Sequence, residues 1–345
     1  MKTVFSSLQL NHRPTKEMAD GQLVDAVEIP RRAEIVHEHV KLAGFGEILE
    51  PKDFGRAPLT RVHTEDYVSF LETFWADWLA EGRDGKEAFP FVWPVRGLRD
   101  DRVPEHIDGK LGRFSFDAGS PLTVGTWEAA AASANTALTA AELVKSGDRV
   151  AFGLCRPPGH HAGPDYYGGY CFLNNASVAT QWLLDQGASK VALLDIDYHH
   201  GNGSQTIFEH RSDVLFLSVH ADPAHEYPYF LGYADETGKG EGEGYTANYP
   251  LPFGTPITPW MDALEHACKR IKAYGAEALV ISLGMDTFER DPISKFKLKT
   301  DDFPGVGERL AQLNLPTTFI MEGGYAVDDL GRNTTALLGG FLSRL

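Results

Sequence analysis

Residues 190–203 read Lys-Val-Ala-Leu-Leu-Asp-Ile-Asp-Tyr-His-His-Gly-Asn-Gly. The apolar run Val191 to Leu194 has the character of a strand buried on both faces, as in a parallel sheet. It ends in Asp195, Asp197, His199 and His200, followed by the turn Gly201-Asn202-Gly203. Side chains alternate along a strand, so Asp195, Asp197 and His199 leave it on one side. Two carboxylates and an imidazole at one strand end suit a hard-to-borderline divalent metal. The competing reading is a polar loop with ordinary hydrogen bonds. Burying this much charge without a metal is costly, which favours the metal.

Outward from this stretch the chain alternates helix-like and strand-like segments. Helical patterns occur at 31–43, 64–81, 126–145, 174–186, 203–210, 260–274, 301–313 and 327–342. Strand patterns occur at 149–154, 190–196, 213–219, 277–283 and 316–321. Repeated αβ units with right-handed crossovers imply an α/β fold. The expectation is a single domain spanning 1–345, with a central, mainly parallel sheet and helices on both faces. Residues 83–124 break the pattern. They are rich in Pro, Gly, aromatic and charged residues without a period, and are expected to form a long irregular insertion with a functional or interface role.

The 345 residues carry 32 Lys+Arg against 48 Asp+Glu, a formal charge of −16. That balance disfavours nucleic acid and anionic membrane as partners and suits a cationic small molecule. No apolar run reaches the roughly 18 residues of a membrane span. The first residues lack the apolar core of a secretory signal, so a cytoplasmic location is expected. Cys155, Cys171 and Cys268 are odd in number and form no C-x-x-C pair, consistent with unpaired thiols in a reducing compartment.

Ligands bind beyond the carboxyl ends of strands in open parallel sheets. The unusual residues lie at those ends: Arg156-Pro157-Pro158-Gly159-His160-His161, then Asp195 to His200, Ser218-Val219-His220, Gly284-Met285-Asp286 and Glu322-Gly323-Gly324-Tyr325. Catalytic zinc takes three protein ligands and leaves a place for water, and Asp197, His199 and Asp286 form the best triple. His160 and His161 are adjacent imidazoles suited to acid–base work. Asp195 can orient one of those rings and Asn202 the other. Tyr325 follows two glycines and offers a phenol donor to a developing oxyanion. Cys171 is the rival nucleophile of a metal-free hydrolase, a reading that leaves the Asp/His cluster unexplained.

Together these pieces resemble the arginase–deacetylase superfamily, and within it the zinc-dependent deacetylases related to histone deacetylases. The resemblance covers nearly the whole chain through R-P-P-G-H-H-A (156–162), G-G-Y-C-F-L-N-N (168–175), D-I-D-Y-H-H-G-N-G (195–203), S-V-H (218–220), S-L-G-M-D (282–286) and E-G-G-Y (322–325). The likeness extends to bacterial acetylpolyamine amidohydrolases through G-T-W-E-A (125–129), F-L-G-Y-A-D-E-T-G-K-G (230–240), D-T-F-E-R-D-P-I-S (286–294) and the 83–124 segment.

The resemblance implies that Asp197, His199 and Asp286 bind Zn2+. It makes His160 and His161 the tandem histidines, with His161 as the base that activates water, and Tyr325 the group that polarises the acetyl carbonyl. Gly169 would accept the amide hydrogen bond through its backbone. Tyr170 and Tyr227 would flank the acyl-chain tunnel and Ile293 would line it. Structural K+ or Na+ is implied at Asp195, Asp197, His199 and Ser218, and at a second site from Phe208, Arg211, Val214 and Tyr245. Two departures stand out. Asn202 replaces an Asp found in some members, so His161 lacks a charged partner. Tyr170 and Tyr227 stand where Phe is common, and their hydroxyls suit polar or cationic chains.

The expected activity is hydrolysis of the acetyl amide of N-acetylated polyamines (acetylputrescine, acetylcadaverine or acetylspermidine type) to free amine and acetate. Asp108 and Asp117 are candidates to meet the distal ammonium groups. Phe89, Phe91 and Trp93, if exposed, form an apolar patch that soluble monomers avoid, so a homodimer is expected to pack on this segment and narrow the tunnel. The rivals are a protein acetyl-lysine deacetylase and a non-catalytic acetyl-amine sensor on the same fold.

Overall fold

The computed structural model describes every residue except Asp84. Its strands are β1 (Lys2–Val4), β2 (Lys16–Ala19), β3 (Gln22–Asp25), β4 (Ile48–Leu49), β5 (Val150–Gly153), β6 (Val191–Asp195), β7 (Val214–Ala221), β8 (Thr246–Leu251), β9 (Ala278–Leu283) and β10 (Thr317–Met321). The α-helices are α1 (Arg31–Ala43), α2 (Glu65–Ala80), α3 (Ile107–Arg113), α4 (Thr126–Lys145), α5 (Asn175–Asp185), α6 (Asn202–Phe208), α7 (Ile257–Tyr274), α8 (Phe303–Ala311) and α9 (Val327–Leu342).

Eight strands form one sheet in the order β4-β1-β5-β10-β9-β6-β7-β8, and every neighbouring pair is parallel. Strands β2 and β3 make a separate antiparallel hairpin. The strand β6 shows why the sheet is covered on both faces. Ala192 and Leu194 enter one apolar core with α1, α7, α8 and α9, whereas Val191 and Leu193 enter another with α5. Leu279 and Ile281 against Ala278 and Val280 repeat the split in β9. Period-two alternation between two apolar faces is what a doubly covered parallel strand requires.

The helix ends follow local chemistry. Gly44 closes α1 in the left-handed region, its N–H donating to the Val40 carbonyl. Thr64 caps α2 by accepting the Tyr67 N–H. Tyr67, Phe70, Leu71, Phe74 and Trp78 then bury one face of α2 against Leu111, Phe114 and Phe172.

Several elements depart from the expectation. The sequence pattern did not show β1, β4, β8 or the β2–β3 hairpin; β1 to β4 lack the apolar runs of four or more residues that mark β6 and β9, and β8 contains Pro250 at the sheet edge. The 83–124 segment is not wholly irregular. It contains α3, capped by His106, and Ala88 bridges antiparallel to Leu122. Phe91 is 69% exposed, but Phe89 and Trp93 are half-buried, the latter donating from Nε1 to Ser115 Oγ at 3.0 Å.

Candidate active site

Five neighbouring strands of the sheet, β5-β10-β9-β6-β7, carry the polar ends singled out in the sequence. The register sets Asp195 beside Ser282 on one side and Ser218 on the other, so these ends are level. Beyond Asp195 the alternation persists. Ile196 and Tyr198 turn into the apolar core, while Asp195, Asp197 and His199 face the site.

Asp197, His199 and Asp286 each offer a ligand atom, and the three atoms lie within 4.8 Å of one another. His199 Nδ1 is 3.1 Å from Asp286 Oδ2 and 3.4 Å from Asp197 Oδ1. Backbone donors aim both carboxylates. Asp286 Oδ1 accepts from Tyr198 N–H (2.9 Å); Asp197 Oδ1 accepts from His199 N–H (2.9 Å) and its Oδ2 from Gly323 N–H (2.8 Å). Both aspartates are fully buried. Burial, then the charge of Asp197, pushes the Asp286 carboxyl up to about 7. Against its own burial, Asp197 is held well below the usual carboxylate range by His160 and His199. Two buried carboxylates and an imidazole converging on one point are a donor set that fits zinc.

The tandem histidines differ in setting. His160 Nδ1 lies 3.0 Å from Asp195 Oδ2, and His161 Nδ1 lies 2.6 Å from Asn202 Oδ1. Burial disfavours a charged His160, yet Asp197 and Asp195 overcome it and raise the ring to about 10. Burial and the neighbouring His160 and His199 push His161 well below 6.5. An amide oxygen accepts only, so His161 carries its proton on Nδ1 and leaves Nε2 for the cavity it lines.

That cavity has a volume of about 460 Å³. His161, His199 and Tyr325 meet it, and Gly169, Tyr170, Tyr227, Ile293 and Phe116 wall it. Phe116 stacks on Tyr227 with ring centroids 5.8 Å apart. Gly169 has φ +55, and a Cβ there would strike the His161 ring. Its N–H donates to Asp117 Oδ2 at 2.6 Å, and its carbonyl accepts from Cys171 Sγ at 3.3 Å. The two wall tyrosines point their hydroxyls at carboxylates: Tyr170 donates to Glu17 Oε1 (3.1 Å) and Tyr227 to Asp117 Oδ2 (2.7 Å). Glu17, Asp117 and Glu226 are the acidic residues lining the cavity among the described residues.

Two expectations are corrected. Asp108 does not line the cavity; it sits in α3 and pairs with Arg83 Nη2 at 2.7 Å. The hydroxyls of Tyr170 and Tyr227 are committed to Glu17 and Asp117, so they set the acidic groups in place. Cys171 is buried, and burial pushes its thiol well above 9, which removes it as a ready nucleophile. All three cysteines are buried and unpaired.

Sequence reasoning passed over several contributors. Glu17 and Glu226 lie on segments with no chemical motif. Glu322 was visible before Gly323-Gly324-Tyr325, but its work was not. Its Oε2 accepts from the N–H groups of Gly159 (2.6 Å) and His160 (3.2 Å), fixing the tandem-histidine turn to the end of β10. Arg32 donates to the carbonyls of Glu322 (2.7 Å) and Gly324 (2.6 Å), and its guanidinium lies 4.6 Å from the Tyr325 ring centroid. Buried Glu28 joins Arg32 to Arg156.

The histone deacetylase domain family matches residues 26–341. Acetylpolyamine amidohydrolase 2 of Pseudomonas aeruginosa is 52% identical over 99% of this chain and 98% of its own length. Acetylpolyamine amidohydrolase 1 of the same organism is 54% identical over 99% of both chains. A solved acetylpolyamine aminohydrolase from Burkholderia pseudomallei superposes with a TM-score of 0.95 at 38% identity, covering 100% of this chain and 99% of that one. The chain belongs to the histone deacetylase family, whose members are zinc-dependent hydrolases. No helix among the described residues is long and apolar enough to cross a membrane.

Proposed function

We propose that this member of the histone deacetylase family hydrolyses the acetyl amide of N-acetylated polyamines to acetate and free amine. The observation that carries this reading is the cavity itself. A deacetylase floor of Asp197, His199, Asp286, His161 and Tyr325 sits under aromatic walls bearing Glu17, Asp117 and Glu226. The relatives named acetylpolyamine amidohydrolase align end to end with the chain, which favours this substrate class over acetyl-lysine proteins and over a non-catalytic sensor.

Zinc held by Asp197, His199 and Asp286 would supply Lewis-acid polarisation and lower the pKa of water. The chain's own groups do the rest. Neutral His161 takes the proton of the attacking water through Nε2, and Asn202 fixes that tautomer. The Tyr325 hydroxyl donates to the carbonyl oxygen as negative charge develops there. The imidazolium of His161 then returns its proton to the departing amine nitrogen as the C–N bond breaks. His160, held through Nδ1 by Asp195 Oδ2, packs behind the floor beside His161. The substrate's methylene chain lies between Tyr170, Tyr227 and Ile293. Its distal ammonium meets Glu17 and Asp117, where burial already raises the Glu17 carboxyl and a cation is welcome.

Monovalent cations belong to the same proposal. Asp195 and Ser218 are paired across β6 and β7, and Val214 opens β7 three residues after Arg211. A homodimer is supported by exposed Phe91, Val92, Val95, Leu98 and Val103, an apolar run that a second copy would cover. The three unpaired thiols accord with the cytoplasm.

A substrate panel on zinc-loaded protein tests the function. Acetylputrescine and acetylspermidine should give kcat/KM at least tenfold above an acetyl-lysine peptide and above an uncharged acetamide of equal length. Equal rates on the peptide would transfer the assignment to protein deacetylation.

A further inference from the structure

We infer that Asp291 is a positioning residue for Tyr325, locking the tyrosine-bearing loop to the wall segment that carries Ile293. This rests on the reading of Tyr325 as the donor to the carbonyl oxygen. Asp291 lies in the turn after β9, 7% exposed, and is not a cavity-lining residue. Its Oδ2 accepts the backbone N–H of Tyr325 at 2.7 Å and of Ala326 at 3.2 Å. Its Oδ1 accepts the N–H of Ile293 at 3.1 Å.

The need for such a clamp follows from the chain around it. Tyr325 comes after Gly323 and Gly324, and Gly324 has φ +120, so the approach has wide backbone freedom. Helix α9 starts only at Val327, and Ala326 supplies no side-chain cap. The N–H groups of Tyr325 and Ala326 thus precede the helix, and a buried donor must find an acceptor. Asp291 provides it from a different strand end. One carboxylate thereby fixes both the height of the tyrosine and its distance from the wall. Only a side chain accepting at both oxygens meets all three donors. An amide of the same shape would set an NH2 group against at least one N–H.

The experiment is a double-mutant cycle on the zinc-loaded enzyme using acetylputrescine and the variants Asp291→Asn, Tyr325→Phe and their combination. Tyr325→Phe should lose about 10²–10³ in kcat. Asp291→Asn should lose about tenfold to a hundredfold in kcat, with KM within threefold and stoichiometric zinc retained. In the combined variant kcat should equal that of Tyr325→Phe alone, because Asp291 acts through the hydroxyl already removed. Losses that multiply, or an Asp291→Asn enzyme with wild-type kcat, would overturn the inference while leaving Tyr325 its role. Full turnover by Tyr325→Phe would refute the reading of Tyr325 and this inference with it. If Asp291→Asn does not fold, Asp291→Glu, whose extra methylene carries both acceptor oxygens away from the three N–H groups, takes its place in the same cycle with the same criteria.

Discussion

Replacing Gly323 by Ala would put a methyl carbon 2.5 Å from Asp286 Oδ2 and 2.6 Å from Asp197 Oδ2. Both oxygens belong to carboxylates of the group that could hold the metal. Gly323 lies outside the left-handed region, so the substitution tests space alone. Ordinary contact begins near 3.4 Å, and the carboxylates would have to withdraw by about 0.8–0.9 Å. Metal–ligand distances tolerate only about 0.2 Å. Either the ligands leave their positions or the Gly323 backbone retreats and strains its 2.8 Å N–H bond to Asp197. Overpacking of this kind typically costs about 1–3 kcal/mol, which is roughly a 5- to 150-fold loss of zinc affinity if the strain falls on the site. A zinc titration against a competing chelator, with turnover read in parallel, measures it. Gly305→Ala is the control: Gly305 lies in α8 and its Cβ meets nothing within 4 Å, so zinc affinity should be unchanged. A Gly323→Ala protein with wild-type zinc affinity and full turnover would refute the idea that backbone without side chain is required at the cluster.

Asp117→Asn should raise KM for acetylputrescine severalfold more than KM for a neutral acetamide of equal length, the shared part reporting the lost acceptor for the Gly169 N–H; equal effects on both would mean Asp117 does not sense charge. Cys171→Ala should keep at least a third of wild-type kcat, and a trapped acyl-Cys171 species in mass spectrometry would reverse that expectation. Stability should fall as pH drops from about 6.5 towards 4. His63 donates through Nδ1 to the Gly163 carbonyl and accepts the Asn174 N–H through Nε2, and burial lowers it to about 4; with its folded value below the unfolded one, the unfolded chain alone takes up the proton in that window, which removes roughly 3 kcal/mol. Urea midpoints that stay flat for the wild type, or that fall equally for His63→Gln, would disprove this. Apo-protein zinc affinity should also weaken below about pH 7, where Asp286 takes a proton; affinity independent of pH from 8 to 6 would contradict the shared, buried cluster.

The chain by itself determined the floor of the site. Alternation from Val191 onward is a local property, so it placed Asp195, Asp197 and His199 on the opposite side to Ile196 and Tyr198 before any neighbour was known. The helix bounds of α1, α4 and α9 were equally legible, because a 3.6-residue period, closed in α1 by Gly44, acts within a few residues. Tertiary structure decided what depends on distant partners. Strand order made β5, β10, β9, β6 and β7 neighbours, and no segment carries its sheet position in its own pattern. The β2–β3 hairpin brought Glu17 to a cavity otherwise built from residues beyond 115, a placement that two four-residue strands cannot announce. Asp108 and Asp117 looked alike as loop carboxylates. Arg83 drew the first into an ion pair in α3, while Tyr227 and the Gly169 N–H fixed the second at the cavity. Residue type and spacing encode what a side chain can do. Packing and long-range hydrogen bonds select which of the equivalent candidates does it, and those free energies exist only once the chain has closed on itself.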